Sequence, residues 1–339
     1  MTSSSKSRLY TERERVYSGP FCDIYRSRAP SGDAVALKVV DLDFLYKPHN
    51  FLCEIRLLLR LSHPHIVSFI ESFSQGDDHC MVMAYYEVDL KTVLDHYSEK
   101  RLRFNLQDPA KHSVVAFNTL PVDCINPMVW ALVLALKHIH ASGIIHRDIK
   151  PANIMFPSLH RLDCPVIGDF GISYDVASPP PDEPLDKKYT DVSTGYFKAP
   201  ELCFGVTDYG TEIDLWSLGI VISTLFSKDG NPANYVPPAE DEFDAGRELY
   251  DFVLILGIFS AFGTPDVSDK NSDLYWEKLG DSKYHFVNFQ YTSLPRKRTD
   301  LLLPRCTDDA MRALFELLTR YDNRRLLEPP AGLASCADK

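Results

Sequence analysis

The chain has 339 residues, of which 45% are hydrophobic and 24% charged, and its formal net charge is −11. This is the composition of a globular protein, and the length suffices for two lobes that share one cleft. The acidic balance disfavours nucleic acid or an anionic membrane as a main partner. We find no apolar run of the roughly 18 to 20 residues that a membrane span needs, and the start of the chain has no signal-peptide pattern. We therefore expect a cytoplasmic protein that could also enter the nucleus.

A strand and a helix are predicted early in the chain. The segment DAVALKVV, residues 33 to 40, alternates in the way typical of a strand and places Ala36 and Lys38 on one face. A helix capped by Asn50 is expected to follow, and Glu54 lies at the border of its apolar face.

The next segment lacks a regular pattern. Residues 98 to 124 mix charged and apolar side chains without a clear period, and we interpret them as a surface insertion. Asn126 and Pro127 then offer an N-cap and a proline at the first helical position. An apolar run from 128 to 139 predicts a helix, which Gly143 would end.

Residues 146 to 171 have the side chains that phosphoryl transfer requires. They read HRDIKPANIM and, after a gap, IGDFG. Phosphoryl transfer needs a carboxylate at the attacking hydroxyl, metal ligands and positive charge near the phosphates. Asp148 can accept or orient the hydroxyl proton, and Lys150 can touch the γ-phosphate. Asn153 and Asp169 can hold Mg²⁺. The competing interpretation is a polar loop between two strands.

The remaining chain combines polar segments with apolar helices. Residues 173 to 201 have a Pro-Asp-Glu centre, which predicts a mobile loop and not a packed element. A run from Asp214 is apolar nearly all round, as in a helix buried at the centre of a lobe. Residues 227 to 246 form an acidic, Pro-rich insertion. Thr307 is expected to begin the last helix, with acids in its first turn.

Three motifs make the chain resemble the eukaryotic protein kinase family. H-R-D-x-x-x-x-N begins at His146, D-F-G at Asp169 and A-P-E at Ala199, in the order and at the spacing of that family. The stretch IFSAFGTPD, residues 258 to 266, resembles the cyclin-dependent and mitogen-activated kinases. The resemblance implies an α+β, bilobal fold with a small β-rich N-lobe, a larger helical C-lobe and an ATP cleft between them.

The same resemblance implies the limits of the domain. Residues 9 to 328 would form the kinase domain, between a Ser-rich, disordered tail at 1 to 8 and a second tail at 329 to 339. The expected segments inside it are an N-lobe at about 9–86, a C-lobe at about 87–328 and surface insertions at about 98–124 and 227–246.

The catalytic residues of the family carry over position by position. VALK matches the family motif V-A-I-K, so Lys38 should reach the α- and β-phosphates and pair with Glu54. Thr194 occupies the position of a threonine that bonds the catalytic aspartate and lysine, here Asp148 and Lys150. The residues with implied structural roles are Arg147, Asp214, which would hold the catalytic-loop backbone, and the ion pair of Glu201 with Arg325.

The resemblance also implies where ATP and Mg²⁺ bind. Met83 would be the gatekeeper, which is compatible with its being a core residue, and Asp89 would lie at the ribose edge. The backbone from Ala84 to Tyr86 would contact adenine. The full set of implied ATP-binding residues is Val16, Gly19, Ile24, Ala36, Lys38, Met83, Ala84, Tyr86, Asp89, Asn153 and Met155, and the implied metal ligands are Asn153 and Asp169.

The glycine loop of the family is altered here. Residues 16 to 27 occupy its place, and alignment on Gly19 puts Tyr17 and Cys22 where the outer two glycines stand in the family. Side chains at those positions restrict φ and hinder the approach of backbone N–H groups to phosphate oxygens. Ile24 keeps the apolar position over the adenine.

Two runs narrow the resemblance further. DFGISYD and DVSTGYFKAPELCFGV are most similar to the fungal single-subunit kinases that phosphorylate the activation-loop threonine of cyclin-dependent kinases. This implies a Ser/Thr kinase of cell-cycle control whose protein substrate is a cyclin-dependent kinase. Two alternatives stay open, namely a kinase of the same group with another substrate and a pseudokinase scaffold. Lys150 and Thr194 disfavour a tyrosine kinase.

Most of the arginines that bind an activating phosphothreonine in cyclin-dependent kinases are replaced in this chain. Where that group has three arginines, this chain has Cys53, Arg147 and Tyr174, and Tyr189 stands at the phosphothreonine position beside Thr190.

We therefore expect a monomer that needs neither a cyclin nor phosphorylation of its own activation loop. A nearby aspartate, Asp186 or Asp191, could pair permanently with Arg147. The sequence that contacts cyclin is also replaced, by KPHNFLC. In the alternative, Thr190 is phosphorylated and Lys187 or Lys188 substitutes for the lost arginines.

Overall fold

The computed structural model describes residues 9–104, 112–237, 250–281, 283–284, 291–321 and 325. The predicted tails at 1–8 and 329–339 lie outside these residues, as do parts of both predicted insertions. The strands are β1 (Thr11–Ser18), β2 (Asp23–Arg28), β3 (Ala34–Asp41), β4 (Phe69–Gln75), β5 (Asp78–Ala84), β6 (Val88–Asp89), β7 (Ser98–Phe104), β8 (His112–Asn118), β9 (Ile144–Ile145), β10 (Ile154–Phe156), β11 (Val166–Ile167) and β12 (Tyr174–Asp175).

The helices follow in the same numbering. They are α1 (Phe51–Leu58), α2 (Leu90–His96), α3 (Val122–Ala141), α4 (Pro200–Cys203), α5 (Glu212–Phe226), α6 (Asp251–Phe262), α7 (Thr299–Leu302) and α8 (Asp309–Leu318). Short 3-10 turns occur at Leu42–Phe44, Pro151–Asn153, Gly195–Phe197 and Glu277–Gly280.

The chain divides into two compact units. The first contains the described residues of Met1–Leu90, Trp130–His146 and Ala152–Ser178, and the second those of Lys91–Val129, Arg147–Pro151 and Pro179–Lys339. A sheet dominates the first and helices the second, so the predicted α+β class is confirmed. The lobe limits inferred from sequence stay a prediction.

The first unit is built on a five-stranded antiparallel sheet in the order β1-β2-β3-β5-β4. The strand predicted at 33 to 40 is β3. Its alternation puts one set of side chains into a core whose buried members are Tyr10, Val35, Leu37, Phe73, Cys80 and Val82. The other set, which includes Lys38, lies on the opposite face of the sheet.

Helix α1 is tied to other parts of the first unit at both of its ends. Asn50 caps it as predicted, because its Oδ1 accepts the N–H of Cys53 at 2.9 Å. The N–H of Asn50 also donates to the carbonyl of Gly171 at 2.8 Å. Beyond the other end, Arg60 donates to Asp175 Oδ2 and to the carbonyl of Ser142, at 2.6 Å each.

The second unit packs around α5, whose residues from Ile213 to Phe226 are all buried. The predicted central helix is therefore confirmed, with a start two residues earlier than expected. The last helix begins at Asp309, two residues after the predicted start at Thr307, because the Asp308 carboxylate caps it by accepting the N–H groups of Ala310 and Met311.

The start predicted for α3 is wrong. The helix begins at Val122 and contains Pro127, which was expected at its first position. Asn126 is not its cap, because its side-chain amide donates to Asp308 at 2.7 Å. The 20 residues of α3 also have the length and mean hydropathy, 1.4, of a membrane span, which we did not expect. Half of that stretch is buried within the fold, as in a core helix.

Both predicted insertions contain ordered contacts. Residues 98 to 124 include the antiparallel pair of β7 and β8, which their mixed composition did not indicate, and the start of α3. Asn118, at the end of β8, donates its amide to the carbonyls of Thr224, Leu225 and Ser227 near the end of α5.

Candidate active site

A buried ion cluster joins β3, α1 and the Asp-Phe-Gly motif in the first unit. Lys38 Nζ donates to Glu54 at 2.8 and 2.9 Å and to Asp169 Oδ1 at 3.1 Å. Lys38 and Glu54 are 8% and 2% exposed. Burial by itself lowers the pKa of Lys38, but Asp169 and Glu54 outweigh it and raise that pKa above its ordinary value. The lysine is therefore a permanent cation, held where it can receive phosphate oxygens.

The backbone of the Asp-Phe-Gly motif is held in a specific conformation. Asp169 has a φ of +59°, in the left-handed region, and Phe170 is buried with its ring centre 4.8 Å from that of His146 in an edge-to-face arrangement. His146 Nε2 lies 3.1 Å from the carbonyl of Gly168. The Asp169 side chain is 51% exposed, while the neighbouring residues Gly168 and Phe170 are held by His146.

Four of the predicted ATP-binding residues share one face of the sheet. In the antiparallel ladder Ile24 lies opposite Lys38, and Ala36 lies opposite Met83. Opposed residues point to the same face, so these four side chains line a single surface. The structure thus brings together residues from three strands that the resemblance listed separately.

The other residues that the resemblance assigns to ATP binding are less clustered. Val16 lies in the irregular part of β1 and is 47% exposed, and Ala84 donates its N–H to the carbonyl of Ser68 at 3.0 Å. Burial raises the pKa of Tyr86. Asp89 is opposite Met155 in the β6–β10 pair.

The altered glycine loop is a tight turn between β1 and β2. The N–H of Gly19 donates to the carbonyl of Cys22 at 3.0 Å. The Tyr17 ring lies across Gly19, so that a Cβ added there would overlap the phenol oxygen. Burial raises the pKa of the Cys22 thiol, while nearby Lys38 lowers it. The Tyr17 ring thus fills the space beside the middle glycine of this turn.

A second set of polar side chains converges in the second unit. Thr194 Oγ1 donates to Asp148 Oδ1 at 2.8 Å and accepts from Lys150 Nζ at 2.9 Å. Lys150 Nζ is also 2.8 Å from Asp148 Oδ2. The carboxylate, the ammonium and the hydroxyl therefore fix one another, although Thr194 is 44 or more residues away along the chain.

The backbone next to Asp148 is fixed by Asp214. Arg147 has a φ of +70°, and its N–H donates to Asp214 Oδ1 at 2.8 Å. Ser193 Oγ donates to the Arg147 carbonyl at 2.7 Å. Asp214 is fully buried, so it places the strained residue before Asp148, as the resemblance implied.

Comparison with known proteins agrees with this geometry. The model of the protein kinase domain matches residues 10–233, which is more than half of the chain. The chain belongs to the protein kinase family. The β-sheet N-lobe and the helical C-lobe are therefore the two lobes of a protein kinase. Protein kinases in general use ATP with Mg²⁺.

Similar curated proteins place the kinase near the cyclin-dependent kinases. It is 35% identical over 292 residues to the serine/threonine-protein kinase CAK1 of Saccharomyces cerevisiae, covering 79% of this chain and 76% of that one. It is 26% identical to cyclin-dependent kinase 7 of Caenorhabditis elegans (91% and 84% covered) and to cyclin-dependent kinase D-1 of Arabidopsis thaliana (92% and 67%). The protein is thus a Ser/Thr kinase related to that group.

The candidate metal ligands of the kinase suit Mg²⁺. Asn153 and Asp169 offer an amide and a carboxylate oxygen, the hard ligands that Mg²⁺ prefers. A Cβ added at Gly171 would lie 3.2 Å from Asp169 Oδ1, so this glycine keeps the space beside the carboxylate open. Asn153 and Asp169 would hold the ion. Bound Mg²⁺ supplies positive charge that offsets charge on the phosphates.

The activation segment of the kinase, residues 169 to 201, is where the sequence prediction fails. Its Pro-Asp-Glu centre was predicted to be mobile, but Glu183 is 2% exposed and forms a close ion pair with the buried Arg147. The predicted partners Asp186 and Asp191 are exposed. No spacing rule indicated Glu183, because the contact spans 36 residues and closes only in the fold.

The second buried ion pair of the kinase was expected. Arg325 NH1 lies 2.7 Å from Glu201 Oε1, and the two side chains are 0% and 4% exposed. Arg325 also donates to the carbonyl of Glu212 at 3.2 Å. The end of the Ala-Pro-Glu motif is thereby fastened to the start of α5.

Proposed function

We propose that this kinase transfers the γ-phosphate of ATP, with Mg²⁺, to the activation-loop threonine of a cyclin-dependent kinase. The observation that carries the chemical part is the Asp148–Lys150–Thr194 triangle. A carboxylate held by a hydroxyl and an ammonium is placed to orient an incoming hydroxyl and to meet negative charge on a phosphate.

Each residue has a distinct task in the proposed reaction. Asp148 orients the attacking hydroxyl and accepts its proton, and Lys150 stabilises charge on the transferred phosphoryl group. Lys38, fixed by Glu54, binds phosphate oxygens. Asp169 and Asn153 would hold the metal.

The choice of substrate rests on similarity. The serine/threonine-protein kinase CAK1 has the highest identity among the relatives described above. The runs DFGISYD and DVSTGYFKAPELCFGV point in the same direction. We further propose that the kinase acts in cell-cycle control, as a cytoplasmic and nuclear monomer without a cyclin.

The decisive experiment is an assay with Mg-ATP and an unphosphorylated cyclin-dependent kinase. We expect phosphate on the activation-loop threonine with the wild type and none with Asp148→Asn. Transfer to a general acceptor protein but not to the cyclin-dependent kinase would favour the alternative of another substrate. No transfer to either would favour a pseudokinase.

Independence from a partner is tested separately. Protein made in bacteria and shown by mass spectrometry to be unphosphorylated should be active alone, as should Thr190→Ala and Tyr189→Phe. If activity appeared only after a cyclin was added, or only after phosphorylation, this part of the proposal would fail.

A further inference from the structure

We propose that Glu183 is a positioning residue that orders the activation segment permanently, in the place of a phosphate added to that segment. This inference rests on the proposed kinase activity and concerns its regulation. It differs from the sequence prediction, which assigned the role to an aspartate.

The Glu183–Arg147 pair is sealed from water. Arg147 NH1 donates to Glu183 Oε1, and Arg147 NH2 lies 3.4 Å from Glu183 Oε2. The side chains are 2% and 3% exposed. Burial lowers the pKa of Arg147, but Tyr209 and Glu183 raise it above its ordinary value. A buried guanidinium needs such a partner, because an unpaired charge in this position is strongly unfavourable.

Glu183 does more than neutralise Arg147. Its Oε1 also accepts the backbone N–H of Tyr189 at 2.9 Å. Tyr209 donates its hydroxyl to the carbonyl of Tyr189 at 2.6 Å and accepts from Arg147 NH1 at 3.3 Å. The acid therefore holds the backbone of the segment six residues further along the chain, within one closed set of hydrogen bonds.

The same segment is held again at Thr194. Ser193 binds the Arg147 carbonyl, and Thr194 binds Asp148. Arg147 precedes Asp148 directly, so the Glu183 contact and the Thr194 contact act on two consecutive residues of the catalytic loop. Loss of the Glu183 charge would release one of these two attachments and leave the other.

A phosphate on Thr190 finds few cations prepared for it among the described residues. Arg147 is occupied by Glu183. Lys188 is 5% exposed, donates to the Leu185 carbonyl and lies 5.1 Å from the centre of the Tyr209 ring. The alternative in which Lys188 receives the phosphate would require breaking these contacts.

The test compares Glu183→Gln with two controls. Glu183→Gln keeps the shape of the side chain but removes its charge, whereas Glu183→Asp keeps the charge. Asp182→Asn removes the charge of the exposed neighbouring residue, whose carboxylate accepts a hydrogen bond from the Tyr189 hydroxyl at 3.1 Å. Each is assayed for kcat and KM with a general acceptor protein as well as with a cyclin-dependent kinase. Limited trypsin digestion measures order in the segment through cleavage at Lys187, and circular dichroism measures thermal unfolding.

We expect Glu183→Gln to lower kcat about 100-fold, the cost of misplaced catalytic groups, with a smaller change in the KM for ATP. Cleavage at Lys187 should accelerate, Glu183→Asp should restore part of the activity, and Asp182→Asn should match the wild type. Wild-type protein treated with a phosphatase should keep its activity.

The proposal is overturned if Glu183→Gln keeps wild-type turnover and trypsin resistance, or if phosphatase treatment inactivates the wild type. It is also overturned if activity falls only in proportion to the unfolded fraction at the assay temperature.

A fallback is needed if Glu183→Gln does not fold. The double variant Arg147→Met with Glu183→Leu removes both charges, and it should fold and show fast cleavage at Lys187. Slow cleavage would then reject the proposal. Transfer to the general acceptor alone would reject the proposed substrate and leave this inference testable. If the wild type transfers no phosphate, the kinase proposal fails and trypsin cleavage alone decides the role of Glu183.

Discussion

Thr194 donates its hydroxyl hydrogen to the carboxylate of Asp148 across 2.8 Å. The two residues are 46 positions apart, so the bond forms only when the activation segment lies against the catalytic loop. Thr194 also accepts from Lys150 Nζ, which itself lies 2.8 Å from Asp148 Oδ2, so one hydroxyl contacts both side chains.

Replacing Thr194 by alanine should therefore lower kcat more than it raises the KM for ATP. We expect a loss of about 10- to 100-fold, because Asp148 and Lys150 would each lose the hydroxyl that fixes their orientation. Thr194→Ser retains the hydroxyl and should keep most of the activity. Steady-state kinetics of all three proteins provide the measurement, and equal losses in the alanine and serine variants would contradict this role.

Lys38→Arg and Asp169→Asn should each abolish measurable phosphotransfer and leave the fold intact. The lost stabilisation of phosphate charge is on the order of several kcal/mol of barrier. Lys91→Arg, at an exposed position of α2, is the matched control and should be fully active. Circular dichroism checks the fold, and turnover near that of the wild type in either site variant would refute our assignment.

The altered turn between β1 and β2 should affect phosphate binding and not adenine binding. Tyr17→Gly with Cys22→Gly removes the ring that covers Gly19 and frees φ at both positions. We expect a change in the KM for ATP or in kcat, and no change in the affinity for adenosine. If all three constants stay the same, the turn does not close over phosphates.

Sequence reasoning succeeded where a motif or a local pattern defined the residue. The alternation of side chains with a period of two residues predicted β3. Asn50 predicted the start of α1, because its capping contact is with Cys53, only three residues away. The family motifs singled out Lys38 and Asp169, and the structure places their side chains 3.1 Å apart, while their roles in catalysis stay a prediction.

It failed where tertiary contacts decide the local structure. Pro127 favours a helix start, but α3 begins at Val122 and continues through Pro127. The segment around Glu183 has the composition of a mobile loop, yet Glu183 is buried in an ion pair with Arg147. Neither Glu183 nor its contact with Tyr189 could be inferred from spacing along the chain.

Breaking the Glu201–Arg325 pair should destabilise the protein. Arg325→Met leaves a buried, uncompensated carboxylate, and we expect a loss of about 3–5 kcal/mol in the free energy of unfolding. Replacing both residues, with Glu201→Leu added, should recover most of this loss. Urea denaturation of the two variants measures the difference, and a double variant no more stable than the single one would argue against this account.

The Tyr209 hydroxyl should make stability fall at high pH. Burial raises its pKa to about 12, although Arg147 lowers it. In the unfolded chain the pKa of a tyrosine is about 10. Between these two values the unfolded chain has released the proton and the folded protein has not, so the free energy of unfolding decreases as pH rises. Tyr209→Phe should show a shallower decrease in this window than Tyr46→Phe, a change at an exposed position.

The attachments of α1 have a consequence for inhibitors. Asn50 and Arg60 fasten the two ends of the helix to Gly171, Asp175 and Ser142, so rotating Glu54 away from Lys38 would break these bonds together. A compound that binds only a rotated form must contribute the free energy of that rearrangement, and its apparent affinity falls by the fraction of molecules in that form. We therefore expect compounds that require a displaced helix to bind this kinase weakly, and Arg60→Ala to increase their affinity.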